Sequence, residues 1–397
     1  MTLLAPHTRQ IRRLKFQRSY WVDILTFSEL NPGPLPLLRS LEIYLIGQPN
    51  TSPIPSSPLF SGAVNLEEFV FSLGRVGLLD HFVFPNLTAF KITTPPTQAL
   101  NALDLLNFLE ASPMLRTVEM EINGKPTSDS IPQGTLVILP NVETFSLFGK
   151  VYGSNVYQLA THISCPRTKN TSLAQEMDDH EITEDPEVFP HPALWDTIVR
   201  QYSTGSVKEV VFEMGDGGPA ACSLTFKSPD GSIISLGLKV HMEEEDLDST
   251  WGEVDSLLIV SQAFSTIRSH PLLSHLKHLY LRDWTMNLGC DCVLPMVKAV
   301  GDLFRRLGPL DVLTINGWDA TVFLAPFIDL PQFRHFERVF PHVEQLTILH
   351  GRMDDYPRCM DAIVELAKSQ YEKGKPFKRV IVTVGSMEIP AGMKESI

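Results

Sequence analysis

Residues 84–92 read FPNLTAFKI, a segment in which three apolar residues follow a proline at a fixed spacing. Leu87 is separated from Phe90 by two variable residues, and Phe90 from Ile92 by one. Side chains of a β-strand alternate between its two faces, so Phe90 and Ile92 share one face and Lys91 lies on the other. Because Pro85 cannot continue a helix, the segment predicts a short strand with one buried face that begins after the proline.

The same spacing of three apolar anchors recurs ten more times along the chain. These copies begin at Ile11, Leu38, Leu66, Leu115, Val142, Val207, Leu276, Leu310, Val343 and Phe377. Most copies follow one another at intervals of 21 to 34 residues, whereas two intervals are 65 and 69 residues long. Self-similarity at such a period predicts stacked repeats of the leucine-rich type.

Each long interval has room for one degenerate copy. Thr168, Thr171 and Leu173 have the required spacing, although two of these anchors are polar. Residues 233–238 also have it, but the Pro-Asp-Gly sequence at 229–231 favours a β-hairpin inserted in the same sheet.

Between the strands, the period of the apolar residues changes from two to about 3.6, which is typical of helices packed on a core. The helical segments are 97–115, 191–202, 253–270, 292–308 and 357–374. The sequence therefore predicts an α/β fold, namely a single leucine-rich-repeat-like solenoid over residues 1–397 with strands on one face and helices on the other. About 11–13 irregular repeats are expected.

Two insertions interrupt the predicted array, an acidic loop at 174–190 and a hairpin with an acidic loop at 222–248. Residues 176–187 carry seven acidic side chains and residues 241–248 carry five, which is nearly the whole net charge of −13. A protein of this charge is a poor ligand for nucleic acid or for an anionic membrane, so neither is expected as a partner.

Cysteine content and hydropathy bear on the compartment. Five cysteines in 397 residues do not form a disulfide framework, and an odd count fits a reducing environment. The chain contains no run of roughly 20 apolar residues, and its apolar N-terminal run is too short for a signal peptide. We expect an intracellular protein, cytoplasmic or nuclear.

Candidate chemical motifs are weak. The glycine-rich stretch 214–221 lacks the lysine of a phosphate-binding loop, and Cys290 and Cys292 lack a second pair at zinc spacing. Neither the histidines near Leu276 nor the acidic stretch 178–181 has metal-ligand spacing. We therefore expect no catalytic residue, no metal and no cofactor, and an enzyme on an α/β repeat frame is the less favoured alternative.

Several segments together resemble the leucine-rich-repeat region of F-box-type proteins of mushroom-forming fungi. These segments are HTRQIRRLKF (7–16), FPNLTAFKI, LPNVETFSL (139–147), FPHVEQLTI (340–348), CPRTKNTSL (165–173) and SPDGS (228–232). The resemblance implies an α/β solenoid, curved or irregular, that acts as the substrate-holding half of a ubiquitin-ligase adaptor.

Two features depart from that family. The first repeat begins at Ile11, which leaves no room before it for the F-box segment, so a ligase linker subunit is expected as a partner only if an F-box lies upstream. The asparagine that regular repeats carry three positions after the third anchor occurs here only as Asn123. An asparagine ladder at that position is therefore not expected.

The remaining candidate for function is the open sheet face, where the fold constrains side chains least. Its central residues, between the second and third anchors, are charged in the early repeats and hydroxylated or apolar in the later ones. The candidate partner-binding residues are Lys91, Glu119, Lys277, His278, Tyr280 and Arg282, since Tyr and Arg are common interface anchors. The sequence predicts a non-enzymatic protein-binding solenoid with an unknown partner; an interaction scaffold unrelated to ubiquitin is the alternative.

Overall fold

The computed structural model describes most of the strand-bearing parts of the chain. The described residues are 9–30, 35–45, 58–72, 76–94, 102–123, 131–132, 134–150, 156–178, 197–198, 201, 207–214, 221–241, 276–283, 301, 303–305, 307–317, 342–350 and 356–384. The predicted helix 253–270, Cys290, Cys292 and the acidic residues 179–190 and 242–248 lie outside them.

The elements confirm a mixed α/β architecture in which strands predominate. In chain order they are β1 (Arg13–Ser19), α1 (Trp21–Leu30), β2 (Ser40–Leu45), β3 (Glu68–Ser72), a 3-10 helix (Val76–His81), β4 (Ala89–Thr94), α2 (Ala102–Glu110), β5 (Thr117–Ile122), β6 (Val137–Ile138), β7 (Thr144–Lys150), α3 (Val156–Ala160), β8 (Ile163–Ser164), β9 (Asn170–Asp178), β10 (Glu209–Met214), β11 (Ala221–Lys227), β12 (Ile233–His241), β13 (His278–Asp283), β14 (Leu310–Gly317), β15 (Val343–His350), α4 (Tyr356–Glu372) and β16 (Arg379–Val384).

The chain divides into two compact units. Unit 1 comprises residues 1–181, 193–205 and 230–238. Its main strand order is β1-β2-β3-β4-β5-β7-β9, with β12 next to β9, and neighbouring strands from β1 to β9 run parallel. The short strands β6 and β8 form a separate parallel pair. Unit 1 is thus built on a large, mostly parallel sheet.

Unit 2 comprises residues 182–192, 206–229 and 239–397. Its strand order is β11-β10-β13-β14-β15-β16, and all neighbours are parallel except β10 and β11, which run antiparallel. Residues 215–220 of the glycine-rich stretch lie outside the described ranges. In the Pro-Asp-Gly sequence at 229–231, between β11 and β12, Gly231 adopts a φ of +86° that favours glycine.

The apolar anchors form the core of both units. All three anchors of the nine internal copies are at most 2% exposed, from Leu38 in the second copy to Ile348 in the tenth. Anchors of the first and last copies are more accessible, and Val380 in β16 is 39% exposed. Each interior strand is covered by a neighbour on both sides, whereas β1 and β16 have one described neighbour each.

The polar copy at residues 168–173 is a full member of the array. Thr168, Thr171 and Leu173 are all buried, and β9 pairs with β7 in register with the other strands. The Thr168 hydroxyl donates to the Glu143 carbonyl at 3.2 Å, and the Thr171 hydroxyl donates to that of Thr168 at 3.4 Å. These hydrogen bonds satisfy the hydroxyl groups that replace two apolar anchors.

A β-turn precedes six neighbouring strands of the main sheet of unit 1, from β2 to β9, and gives proline a role that differs from the predicted one. In each turn, the first anchor donates its backbone N–H to the carbonyl three residues earlier, as Leu87 does to Phe84 at 3.2 Å. The first turn residue is always buried; these residues are Leu35, Ala63, Phe84, Ser112, Leu139 and Cys165. Pro85 thus occupies the second position of a turn, which its fixed φ favours, and does not itself end a helix. Helix α2 ends at Glu110, before Pro113.

Asparagines link consecutive turns at a position that the sequence reasoning overlooked. Asn65, Asn86 and Asn141 each stand directly before the first anchor of a repeat. Their side-chain amides donate to the Pro36, Val64 and Pro113 carbonyls of the preceding repeats, at 2.8, 2.8 and 3.1 Å. An asparagine ladder therefore exists at the start of the strands, nine positions before the place where the family pattern has it.

Aromatic side chains fill the space between the helices and the strands of unit 1. Phe108 of α2 packs on Phe90 with a centroid distance of 4.7 Å, and Phe27 of α1 packs on Phe16 at 5.2 Å. Helix α1 was not predicted from the sequence. At its start, the Tyr20 backbone N–H donates to the Asp23 carboxylate at 2.8 Å, which is one half of a capping box.

Placing a charge at an anchor should disrupt unit 1. Leu87→Asp would bury a carboxylate at a position that is fully buried in the native protein, so we expect loss of the main cooperative melting transition. The matched control is Val83→Asp, which introduces the same charge at a side chain that is 48% exposed. Melting followed by circular dichroism should distinguish the two variants, and a native-like transition in Leu87→Asp would show that the anchor assignment is wrong.

Removing one asparagine of the ladder should destabilise the protein less than a charge placed at an anchor does. Asn86→Ala removes one hydrogen bond to a backbone carbonyl and should lower the free energy of unfolding by about 0.5–1 kcal/mol in urea titrations. Met114 occupies the equivalent turn position and is 47% exposed, so Met114→Asn should raise that free energy by a similar or smaller amount. Stabilisation by Asn86→Ala would contradict the ladder.

Candidate functional site

The candidate site is the outward face of the strands, where equivalent residues of successive repeats form rows. The central row is the residue between the second and third anchors of each repeat. In unit 1 it consists of Lys15, Glu42, Val70, Lys91, Glu119, Ser146 and Ser172. In unit 2 it is Val211, Tyr280, Thr314, Thr347 and Ile381. Parallel pairing places each member of a row directly beside the next, in the order expected from the repeat spacing.

Oppositely charged neighbours pair along the central row of unit 1. The Lys15 ammonium lies 2.7 Å from the Glu42 carboxylate, and that of Lys91 lies 2.8 Å from Glu119. Lys15 also lies over the Tyr44 ring, 4.7 Å from its centroid. Two predicted site residues, Lys91 and Glu119, are therefore brought together, and each neutralises the charge of the other.

A second row, the strand-start row, is the residue directly after the first anchor. In unit 1, Glu143 lies between Arg116 and Lys169, at 3.9 and 2.9 Å, and Arg39 pairs with Glu67. In unit 2, Lys277 faces Asp311 at 3.7 Å, and Lys378 faces Glu344 at 2.7 Å. The sequence carried a signal for these pairs, since the paired residues occupy the same position of consecutive repeats and have opposite charges.

These ion pairs shift the protonation of their members. The hydrogen bond from Lys15 holds the pKa of Glu42 below its ordinary value, and those from Lys169 and Lys378 do the same for Glu143 and Glu344. Conversely, the hydrogen bonds to their glutamates raise the pKa values of Lys15 and Lys91. In the Lys15–Glu42 pair, folding thus favours the charged forms of both partners.

The predicted site residues of unit 2 all lie on or next to β13. His278 Nδ1 is 3.9 Å from a carboxylate oxygen of Glu209, and the Tyr280 hydroxyl accepts a hydrogen bond from Asn316 Nδ2 at 2.8 Å. Arg282 is half-buried and in register with Asn316 of β14. Because Lys277 faces Asp311, these predicted side chains engage neighbouring strands as well as facing outward.

A shallow, open groove of about 370 Å³ lies over β4, β5 and β7 in unit 1. Its walls include Lys91, Glu119, Glu121, Ser146 and Phe148. It combines an ion pair with an aromatic side chain and a second carboxylate, and it has the dimensions of a recess for one or two side chains of a ligand.

Glu121 and Phe148 were missed by the sequence reasoning, which considered only the central row. They lie two residues further along β5 and β7 and are adjacent in the parallel pairing. The alternation of strand side chains could have identified both as outward-facing. The Glu121 carboxylate accepts hydrogen bonds from the Thr93 hydroxyl at 3.3 Å and from Asn123 Nδ2 at 3.1 Å. Among the described residues, Glu121 forms no salt bridge.

Other chemistry in the described part of the chain is limited. There, no cluster of three or more His, Cys, Asp or Glu side chains could hold a metal ion. No helix within the described ranges is long and apolar enough to cross a membrane. Cys165 is a buried free thiol whose burial raises its pKa, and it occupies the buried turn position that is Leu35 or Phe84 in other repeats.

Comparison with known proteins adds no relative. The chain matches no protein-family model, and no curated protein matches its sequence.

The shifted glutamate pKa values predict a specific loss of stability in acid. A pKa lowered by folding contributes stability that is present above the unfolded value, near 4.5, and is lost as the pH falls through the folded value. The triple variant Glu42→Gln, Glu143→Gln and Glu344→Gln should therefore lose less of its free energy of unfolding between pH 6 and pH 3.5 than the native protein does. Urea unfolding in low salt measures this loss. An unchanged difference would show that these pairs contribute nothing.

Proposed function

We propose that this protein binds another protein through the open face of its sheet and has no catalytic activity of its own. The observation that carries the proposal is the in-register alignment of outward side chains over strands whose inward anchors are buried. The core fixes the inward positions, while outward positions such as Ser146 and Thr314 can vary without cost to the fold. Such a surface is suited to recognition of an extended or broad partner.

The finer architecture belongs to the same proposal: a leucine-rich-repeat-like solenoid of about 11–13 irregular repeats. Three features support it: the parallel pairing of equivalent residues, the repeated turn with its asparagine, and the packing of α1 and α2 on the core side of the strands. A solenoid needs many copies because no single unit can bury both of its flanks.

The resemblance to fungal F-box-type proteins gives the proposal its most specific form, the substrate-recognition region of a ubiquitin-ligase adaptor. The alternative is an interaction scaffold with no connection to ubiquitin. An in-frame F-box segment in the gene upstream of Met1 would support the adaptor, and a ligase linker subunit would then be a second partner. The protein would act in the cytoplasm or nucleus, which the buried free thiol of Cys165 favours because reducing compartments preserve thiols.

The enzyme alternative requires a nucleophile or acid–base pair converging on a pocket. In the groove of unit 1, the charged groups are instead an ion pair and a carboxylate held by neutral donors. This arrangement favours binding over catalysis.

Site-directed photo-crosslinking tests which face binds. A benzophenone amino acid placed at Ser146 or Thr314, on the open face, should give protein adducts in extract of the native cell. The same group at Glu110 at the end of α2, or at Val364 on α4, is exposed but lies on helices and should give none. Adducts from the helical positions alone, identified by mass spectrometry, would overturn the proposal.

A further inference from the structure

The groove of unit 1 carries one more negative charge than it neutralises. Its lining contains one ammonium group, Lys91, and two carboxylates, Glu119 and Glu121. Lys91 makes its hydrogen bond to Glu119, so Glu121 shares that cation only at longer range. The groove lining therefore has a net charge of −1, which a ligand group with one positive charge would neutralise.

The Glu121 carboxylate is oriented but not saturated. Thr93 donates to one of its oxygens and Asn123 to the other, and each carboxylate oxygen can accept at least two hydrogen bonds. One acceptor site therefore remains on each oxygen. A planar guanidinium with two parallel N–H groups fits a carboxylate presented in this way better than an ammonium does.

Phe148 supplies the second element of an arginine site. It is half-buried, lines the same groove and is the direct neighbour of Glu121 on the adjacent strand. A guanidinium bonded to Glu121 would lie within reach of the Phe148 ring, where stacking and cation–π attraction favour arginine over lysine.

We infer that this groove is a subsite for an arginine side chain of the protein partner, with Glu121 as its charge partner and Phe148 as its stacking surface. The inference rests on the proposed protein-binding function and specifies the chemistry of the partner. Charge complementarity selects the occupant, since the groove offers a carboxylate that no described cation bonds.

A random 12-residue peptide library displayed on phage, selected on the full chain, provides the probe. We expect the selected peptides to share an arginine. In synthetic versions measured by fluorescence anisotropy, replacing that arginine with citrulline should weaken binding about tenfold or more, whereas lysine should have a smaller effect. Citrulline keeps the shape of the side chain and removes its charge.

Matched variants of the protein assign the effect to this groove. Glu121→Gln removes the charge but can keep both local hydrogen bonds, because its amide oxygen can accept from Asn123 while its NH2 group donates to the Thr93 hydroxyl. It should therefore weaken binding of the arginine peptides about tenfold. Glu68→Gln removes the same charge from an exposed position of β3 outside the groove and should change affinity by less than about twofold. Phe148→Leu should reduce the ratio of affinities for the arginine and lysine versions of a peptide. Because this variant keeps Glu121, the result holds even if Glu121→Gln does not fold.

The outcomes separate this inference from the function on which it rests. If selected peptides bind the protein but ignore Glu121→Gln and citrulline replacement, the arginine subsite is wrong and protein binding stands. If no peptide is retained by the folded chain, both the subsite and the proposed binding face are contradicted.

Discussion

Cross-strand register is the constraint on which the rest of the structure depends. Each repeat buries its apolar anchors against the equivalent anchors of its neighbours, which lie directly opposite in the strand pairing. Phe69, Phe90 and Val118 are paired in this way on successive strands. A slip of one residue would turn these side chains outward and bury charges such as Lys91 in their place. The energetic penalty for such a slip fixes the strands relative to one another.

The turn before each strand sets that register locally. A buried first residue, a proline or valine at the second position and an asparagine at the third position recur in several repeats, and the asparagine bonds the turn of the preceding repeat. The turn thus connects units along the array at the same points where it starts each strand. A ladder at the start of the strands has the same physical role as one further along, because both join backbone groups of consecutive repeats.

The buried side chains of this structure could be predicted from the sequence, whereas the arrangement of the outward-facing side chains could be predicted only in part. Anchor spacing sufficed for the core because burial requires apolar residues, and it even identified Thr168 and Thr171, whose hydroxyl groups are satisfied by nearby oxygen atoms. Helix α1 was missed because it begins two residues after β1 ends, so the helical spacing of its apolar residues follows the strand pattern without a break. The groove was missed because it depends on which side chains of three different repeats meet, and spacing within one repeat does not report this.

The ion pairs of the open face explain why a binding site on it would be selective. Glu42, Glu119 and Glu143 each have a cation from an adjacent repeat, so these three carboxylates offer a partner little uncompensated charge. Specificity is a difference in affinity between sites. A ligand that binds one of the paired carboxylates must first break an ion pair, and this lowers its affinity for that position. Glu121 differs because its donors, Thr93 and Asn123, are neutral. Glu121 also lies in a groove beside the Phe148 ring, and this combination favours it over the other carboxylates of the face as the position where a cationic side chain binds.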